Sequence, residues 1–84
     1  MRDLSSTVDL MLSDDCIERF KAEYYQTAIR YNRLMDMLDK LDRGELDFTP
    51  TCSRDILVGQ ATAMLEYLRV LEKRAEIEGI EIPD

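Results

Sequence analysis

Residues 56–65, ILVGQATAML, form a run without a single charged side chain in a chain of which 35% is Asp, Glu, Lys or Arg. The run lies within a longer segment whose apolar residues recur at steps of three and four, a spacing typical of an α-helix. A helix that is apolar around most of its circumference has to be buried on several sides. The fold must therefore provide cover for this run.

Two segments carry an apolar seam with this helical spacing. The first is predicted to form a helix at about 14–43, and Gly44 follows its last turn. The second is predicted to form a helix at about 53–78, with Ser53 as its N-cap and Gly79 at its C-terminal end. The seam residues are Ile17, Phe20, Tyr24, Thr27, Tyr31, Leu34, Leu38 and Leu41 in the first helix and Leu57, Ala61, Met64, Leu68, Leu71 and Ala75 in the second.

The connector between the two helices, residues 44–52, is too short for a parallel crossover. We therefore expect an all-α fold, an antiparallel helical hairpin of two long helices in which residues whose numbers sum to about 95 face each other. An N-terminal arm at 1–12 can form a short helix that packs on a neighbouring chain, or it is a frayed end. The chain ends in an acidic tail at 79–84.

The uncharged run also predicts self-association. One partner helix covers only one side of residues 56–65, and the apolar surface left on the other sides is large for a monomer. We therefore expect copies of the chain to assemble into a homo-oligomeric helical bundle, a dimer or a higher oligomer.

The composition argues against several classes of function. The chain has no His, and it lacks the GxGxxG, Walker and HExxH motifs, so we expect no enzymatic activity, no metal site and no cofactor. A formal net charge of −7 opposes binding to duplex nucleic acid. No window contains the roughly 18 apolar residues of a membrane span, and the N-terminal residues lack the pattern of a signal peptide. We therefore expect a cytosolic protein without a membrane partner.

Tyrosine, arginine and amide side chains in the predicted helices are the best candidates for ligand binding. Aromatic rings stack on nucleobases, guanidinium groups bind phosphate, and amides form hydrogen bonds with base edges. The candidate ligand-binding residues are Tyr25, Arg30, Tyr31, Arg33, Arg54, Gln60 and Tyr67.

Two alternatives remain open for these residues. In the first alternative these residues have a structural role: Tyr31 belongs to the seam and fills the contact between the helices, and the arginines form ion pairs with acids across an interface. The start of the second helix, TPTCSR at 49–54, is a separate candidate for an anion site because helix N-termini favour negative charge. Helix capping alone also explains Ser53.

Three stretches of the chain carry a family resemblance: RFKAEYYQTAIRYNRLMDML, DFTPTCSRDIL and QATAMLEYLRVLEKRAEIEGI. Together they resemble the crAss-phage-related small helical proteins that phages and prophages of Firmicutes encode. The likeness covers about residues 14–82. The architecture is similar to that of phage anti-defence nucleotide sponges such as the Sequestin and Lockin families.

The resemblance implies a phage-encoded anti-defence protein that binds and sequesters a nucleotide immune signal without cleaving it. Its place of action would be the cytoplasm of the infected bacterial host. The signal would be a cyclic ADP-ribose derivative, such as those made by the TIR enzymes of Thoeris systems, or a cyclic dinucleotide. Two other classes remain open: an anti-CRISPR type of protein that inhibits a defence effector, and a coiled-coil scaffold without a ligand.

Overall fold

The computed structural model describes residues 3–82, and all of its regular elements are helices. A 3-10 helix at Leu4–Thr7 leads into a short helix, α1, at Val8–Met11. Two long helices follow, α2 at Cys16–Asp42 and α3 at Arg54–Glu78. The all-α class is thereby confirmed for the described part of the chain, and the homo-oligomeric bundle remains a prediction.

Local side-chain chemistry sets the ends of the two long helices. The Asp15 carboxylate accepts a hydrogen bond from the backbone N–H of Ile17 at 2.9 Å and caps α2. The Ser53 hydroxyl oxygen accepts one from the backbone N–H of Ile56 at 3.3 Å, which confirms the predicted cap of α3. Gly79 ends α3 in the left-handed conformation, with φ of 71°, which glycine adopts at little cost.

Two side-chain contacts show how α2 and α3 lie against each other. Next to the connector, the Arg54 guanidinium binds both oxygens of the Asp42 carboxylate, at 2.7 and 2.8 Å. Toward the other end, the Tyr24 hydroxyl donates a hydrogen bond to the Glu72 carboxylate at 2.8 Å. Because the end of α2 meets the start of α3 while an early residue of α2 meets a late one of α3, the two helices run in opposite directions.

The best-buried part of the α2–α3 contact lies near the C-terminal end of α3. There Phe20, Leu71 and Ala75 form a cluster of buried side chains. Ile80 and Ile82, which follow α3, pack against this cluster, so apolar residues of the predicted tail contribute to the core. Burial of these side chains is the main favourable term that holds the two helices together.

The N-terminal arm packs on α2 of its own chain. Thr7 is fully buried, and its hydroxyl donates a hydrogen bond to the Leu4 carbonyl at 2.7 Å. The same hydroxyl oxygen accepts a hydrogen bond from the Gln26 side-chain amide at 3.2 Å. Ala22, one turn before Gln26 on the same face of α2, is also fully buried. Residues 1–2 of the arm and 83–84 of the tail lie outside the described residues.

Among the described helices, none combines the length and the apolar composition that a membrane-spanning helix requires.

Tyr24→Phe is expected to destabilise the protein by about 1 kcal/mol or less at neutral pH, because it removes a hydrogen bond to a partly exposed carboxylate. The Tyr24 hydroxyl, and to a lesser extent Arg69, holds the pKa of the Glu72 carboxyl below its ordinary value of 4.5. A lowered carboxyl pKa stabilises the fold above the ordinary pKa, and this contribution disappears as the pH falls through the pKa of the folded state. The difference between the variant and the parent protein should therefore shrink below pH 4.5.

Urea unfolding followed by circular dichroism at several pH values measures this effect. Tyr31→Phe is the matched control, since the Tyr31 hydroxyl makes no hydrogen bond with any residue of 3–82. Equal losses in the free energy of unfolding for Tyr24→Phe at pH 7 and pH 3 would contradict the conclusion that the Tyr24 hydroxyl lowers the pKa of Glu72.

Candidate functional site

A cleft lies between the C-terminal part of α2 and the connector that follows it. Its volume is about 380 Å³, which is in the range of small-molecule pockets although near its lower end. We call it the α2–connector cleft. Its lining residues are Arg33, Asp36, Met37 and Lys40 of α2 and Glu45, Leu46, Asp47 and Phe48 of the connector.

The turn at the end of α2 is what folds the connector back over the helix. Gly44 has a φ of 71°, in the left-handed region. The backbone N–H of Glu45 donates to the Lys40 carbonyl at 2.8 Å, and that of Gly44 donates to the Leu41 carbonyl at 3.2 Å. This is the pattern of a Schellman motif, in which a left-handed glycine reverses the chain. The motif brings Leu46 and Phe48 alongside α2.

The cleft contains two cationic side chains without an ionic partner. Arg33 and Lys40 lie seven residues apart on α2 and therefore share one face of it. Neither forms an ion pair or a hydrogen bond with another residue in the described part of the chain. Glu45, by contrast, pairs with Arg43 at 2.8 Å, which largely offsets its charge. The two cations are thus available to a ligand.

Arg33 also acts on the start of the N-terminal arm. The pKa of the Asp3 carboxyl is lowered, first by hydrogen bonds from Ser5 and Ser6 and to a smaller extent by the charge of Arg33. The field of the Arg33 guanidinium thus reaches the arm as well as the cleft.

Three further lining residues add an aromatic ring and hydrogen-bond acceptors to the cleft. Phe48 is exposed on the connector and offers a ring face to a planar ligand. Asp36 and Asp47 supply carboxylate oxygens, which accept hydrogen bonds from hydroxyl and amino groups. Cations, a ring and hydrogen-bond acceptors together suit a ligand that combines an anionic group, hydroxyl groups and an aromatic ring.

The structure places the predicted ligand-binding residues on several different surfaces. Arg33 is the member of that set that lines the α2–connector cleft. Arg54 is held by Asp42, and this pairing raises the pKa of the arginine. Tyr25 is buried, with its ring edge-to-face against Tyr24 at a centroid distance of 6.1 Å.

The other four predicted residues lie away from the cleft. Tyr31 is half-buried in α2, while Arg30 is exposed on the same helix. Gln60 and Tyr67 are both exposed on α3. A single chain therefore does not gather the seven residues into one cavity among residues 3–82.

Arg33 alone of the cleft residues was among the predicted ligand-binding residues, so the prediction missed Lys40 and Phe48. The spacing of seven between Arg33 and Lys40 is a sequence signal that places both cations on one helix face. The left-handed Gly44, followed by apolar residues in the connector, is a signal that the chain folds back there. The two signals together could have located the cleft.

The fold and the cleft together define a small all-α protein with an open cleft beside the C-terminal end of its first long helix. The model of the Sequestin family matches residues 14–77, which span α2, the connector and nearly all of α3. The chain therefore belongs to the Sequestin family. This confirms the resemblance to that family, while an origin in Firmicutes phages remains a prediction. No curated protein and no solved structure matches the chain.

Proposed function

We propose that this protein binds a small nucleotide signal and sequesters it without cleaving it, as an anti-defence protein acting in the cytoplasm of an infected bacterium. The observation that carries the proposal is the match to the Sequestin family over residues 14–77. Membership of this family is consistent with a nucleotide-sequestering role, and the family name suggests binding rather than catalysis.

The α2–connector cleft supports the proposal by its chemistry. Arg33 and Lys40 are about 10 Å apart along α2 at 1.5 Å per residue, and their long side chains can converge on a diphosphate. Phe48 offers a surface on which one base can stack. Asp36 and Asp47 can accept hydrogen bonds from ribose hydroxyls. We therefore place the ligand in this cleft.

The same features favour one class of signal over another. A cyclic ADP-ribose derivative has one base and two phosphates, whereas a cyclic dinucleotide has two bases. The cleft offers one aromatic ring, two cations and a volume of about 380 Å³. A ligand with a single base makes fuller use of these groups, so we propose a cyclic ADP-ribose derivative as the signal.

Arg30, Gln60 and Tyr67 are exposed in the single chain. Arg30 lies on α2 and could reach a ligand bound to a second copy of the protein, whereas Gln60 and Tyr67 lie on α3 and could reach a ligand only where that helix face is not itself covered by a second copy. Tyr25, Tyr31 and Arg54 would first have to give up burial or an ion pair, which weakens their case as direct contacts.

The experiment that tests the proposal is a ligand panel read out by thermal unfolding and by calorimetry. The panel contains a cyclic ADP-ribose isomer, a cyclic dinucleotide and, as the matched control, linear ADP-ribose. A ligand at 100 times its dissociation constant stabilises the folded state by about 2.7 kcal/mol. For a domain of this size the midpoint should rise by about 10 °C or more.

Sequestration also predicts that the ligand survives. After prolonged incubation and heat denaturation of the protein, chromatography should return the ligand chemically unchanged. A product with a new mass would contradict sequestration and indicate an enzyme. No midpoint shift with any member of the panel would contradict nucleotide binding.

A further inference from the structure

The solvent-facing side of α3 carries a second seam that the chain itself does not cover. Its residues recur at alternating steps of four and three, and each of them is exposed. The apolar members of bulky size are between 43% and 76% exposed. We call this surface the α3 stripe, and it consists of Ile56, Gln60, Ala63, Tyr67, Val70, Arg74 and Ile77.

The spacing of the stripe is that of a helix-pairing seam. Alternating steps of four and three keep side chains along one line of a helix, where they interlock with a partner helix. The neighbouring face of α3, one residue or about 100° further round the helix, shows what such a seam looks like when filled, because Leu68, Leu71 and Ala75 are buried there against α2. Thus α3 carries two seams, and the structure fills one of them.

The single charged member of the stripe does not oppose close packing. The guanidinium of Arg74 lies over the Phe20 ring, 4.9 Å from its centroid, and also pairs with Glu78 at 3.1 Å. Its charge is therefore directed toward groups of its own chain, and its aliphatic stem is what remains at the stripe.

We propose that the α3 stripe is the surface on which a second copy of this chain docks, with the two α3 helices antiparallel and Glu66 of each copy facing Lys73 of the other. The inference concerns assembly and holds whether or not a nucleotide binds.

The charged residues beside the stripe favour a second copy of this chain as the partner, with its α3 helix antiparallel to that of the first copy. Glu66 and Lys73 are exposed, lie one heptad apart and each precede a stripe residue, Tyr67 or Arg74. In an antiparallel pair of helices such flanking rows meet each other. An antiparallel second copy therefore places opposite charges together at two symmetric positions, as an isologous interface requires.

The same charges also choose between two registers. When Tyr67 packs beside Val70 of the second copy, Glu66 lies opposite Lys73. When the copies slide by one heptad so that Tyr67 packs beside Ala63, Glu66 meets Glu66 of the second copy, and like charges repel. The first register is the one we propose.

The size of the stripe is compatible with a real but modest interface. Four large apolar side chains along a helix expose a patch on the order of several hundred Å². When two such patches pack together, the total surface area that they bury approaches the roughly 1,000 Å² at which specific association begins. A dimer that dissociates on dilution is the expected behaviour.

Analytical ultracentrifugation over a range of concentrations tests the proposal with charge variants of the full chain. Glu66→Lys and Lys73→Glu should each weaken the dimer by about tenfold, because two attractive pairs become repulsive. The double variant Glu66→Lys/Lys73→Glu should regain the parent dissociation constant. A mixture of the two single variants should form the heterodimer in preference to either homodimer.

Three results would overturn the proposal. The first is a parent protein that stays monomeric at millimolar concentration. The second is a double variant that associates no better than the single ones. The third is a tighter dimer for Glu66→Gln. In the proposed register this variant loses the attraction between Glu66 and Lys73 and should bind more weakly. In the shifted register it relieves the repulsion between the two Glu66 side chains, so tighter binding would indicate that register. Both residues are exposed, so circular dichroism should show unchanged helix content in every variant.

Discussion

Leu71→Ala is expected to leave a large fraction of the protein unfolded at 37 °C. Leu71 is 1% exposed and packs with Phe20 and Ala75 in the cluster that joins α2 to α3. Truncation of a buried leucine costs about 2–5 kcal/mol, the transfer free energy of the lost atoms plus that of the cavity. With 84 residues, this chain is only slightly longer than the size of about 70–80 residues below which a core rarely contributes more than about 3–5 kcal/mol. The loss is therefore comparable with the total.

The measurement is the free energy of unfolding from urea titration, with parent and variant at the same protein concentration because self-association also stabilises the fold. Leu12→Ala is the matched control: the same atoms are removed from a side chain that is 78% exposed. The control should change stability by less than about 0.5 kcal/mol. A loss for Leu71→Ala no larger than that of the control would show that this cluster is not the main core.

The double variant Arg33→Ala/Lys40→Ala is expected to reduce the affinity for the nucleotide by about 100-fold. Each side chain would donate charge-assisted hydrogen bonds to phosphate, and such a bond contributes about 1.5–3 kcal/mol. The open cleft reduces each contribution, and a combined loss near 3 kcal/mol corresponds to about two orders of magnitude in dissociation constant. Isothermal titration with the member of the ligand panel that binds the parent protein measures the change.

The control Arg19→Ala/Lys21→Ala removes the same charge from the other end of α2. These side chains lie on the order of 20 Å from the cleft along the helix, so affinity should change by less than about threefold. Equal losses in the two double variants would indicate a nonspecific effect of net charge. If Gln60→Ala and Tyr67→Ala abolish binding while Arg33→Ala/Lys40→Ala does not, the ligand lies on α3 and the placement in the cleft is wrong.

The candidate site was only partly predictable from the sequence. Arg33 was identified because a guanidinium amid tyrosines and amides is typical of phosphate binding. Phe48 was not, because its value as a binding group depends on the turn at Gly44 that brings the connector back to α2. Tyr25 was expected to reach a ligand, and the structure buries it. No periodicity within α2 reveals the contacts that bury its ring.

Seam position alone did not determine burial either. Ile17 shares the helical spacing of the α2 seam, yet it is exposed. The pairs Tyr24 with Glu72 and Asp42 with Arg54 place Ile17 opposite the residue at which α3 ends, Gly79. A side chain at the right angle around a helix is buried only where the neighbouring helix extends far enough to cover it.

The sequence by itself determined approximately where the long helices begin and end, with predicted ranges of 14–43 and 53–78 against the observed Cys16–Asp42 and Arg54–Glu78, and it determined which sides of them are apolar. Capping at Asp15, Ser53 and Gly79 depends on residues a few positions apart, and apolar spacing defines a face without reference to any neighbour. Only the tertiary structure decided that the N-terminal arm covers α2, that the connector and α2 enclose a cleft, and that the α3 stripe stays open. These outcomes depend on which apolar face packs against which neighbouring element. Because hydrophobic attraction is non-directional, the apolar pattern of one helix does not specify its neighbour, and the packing of the whole chain does.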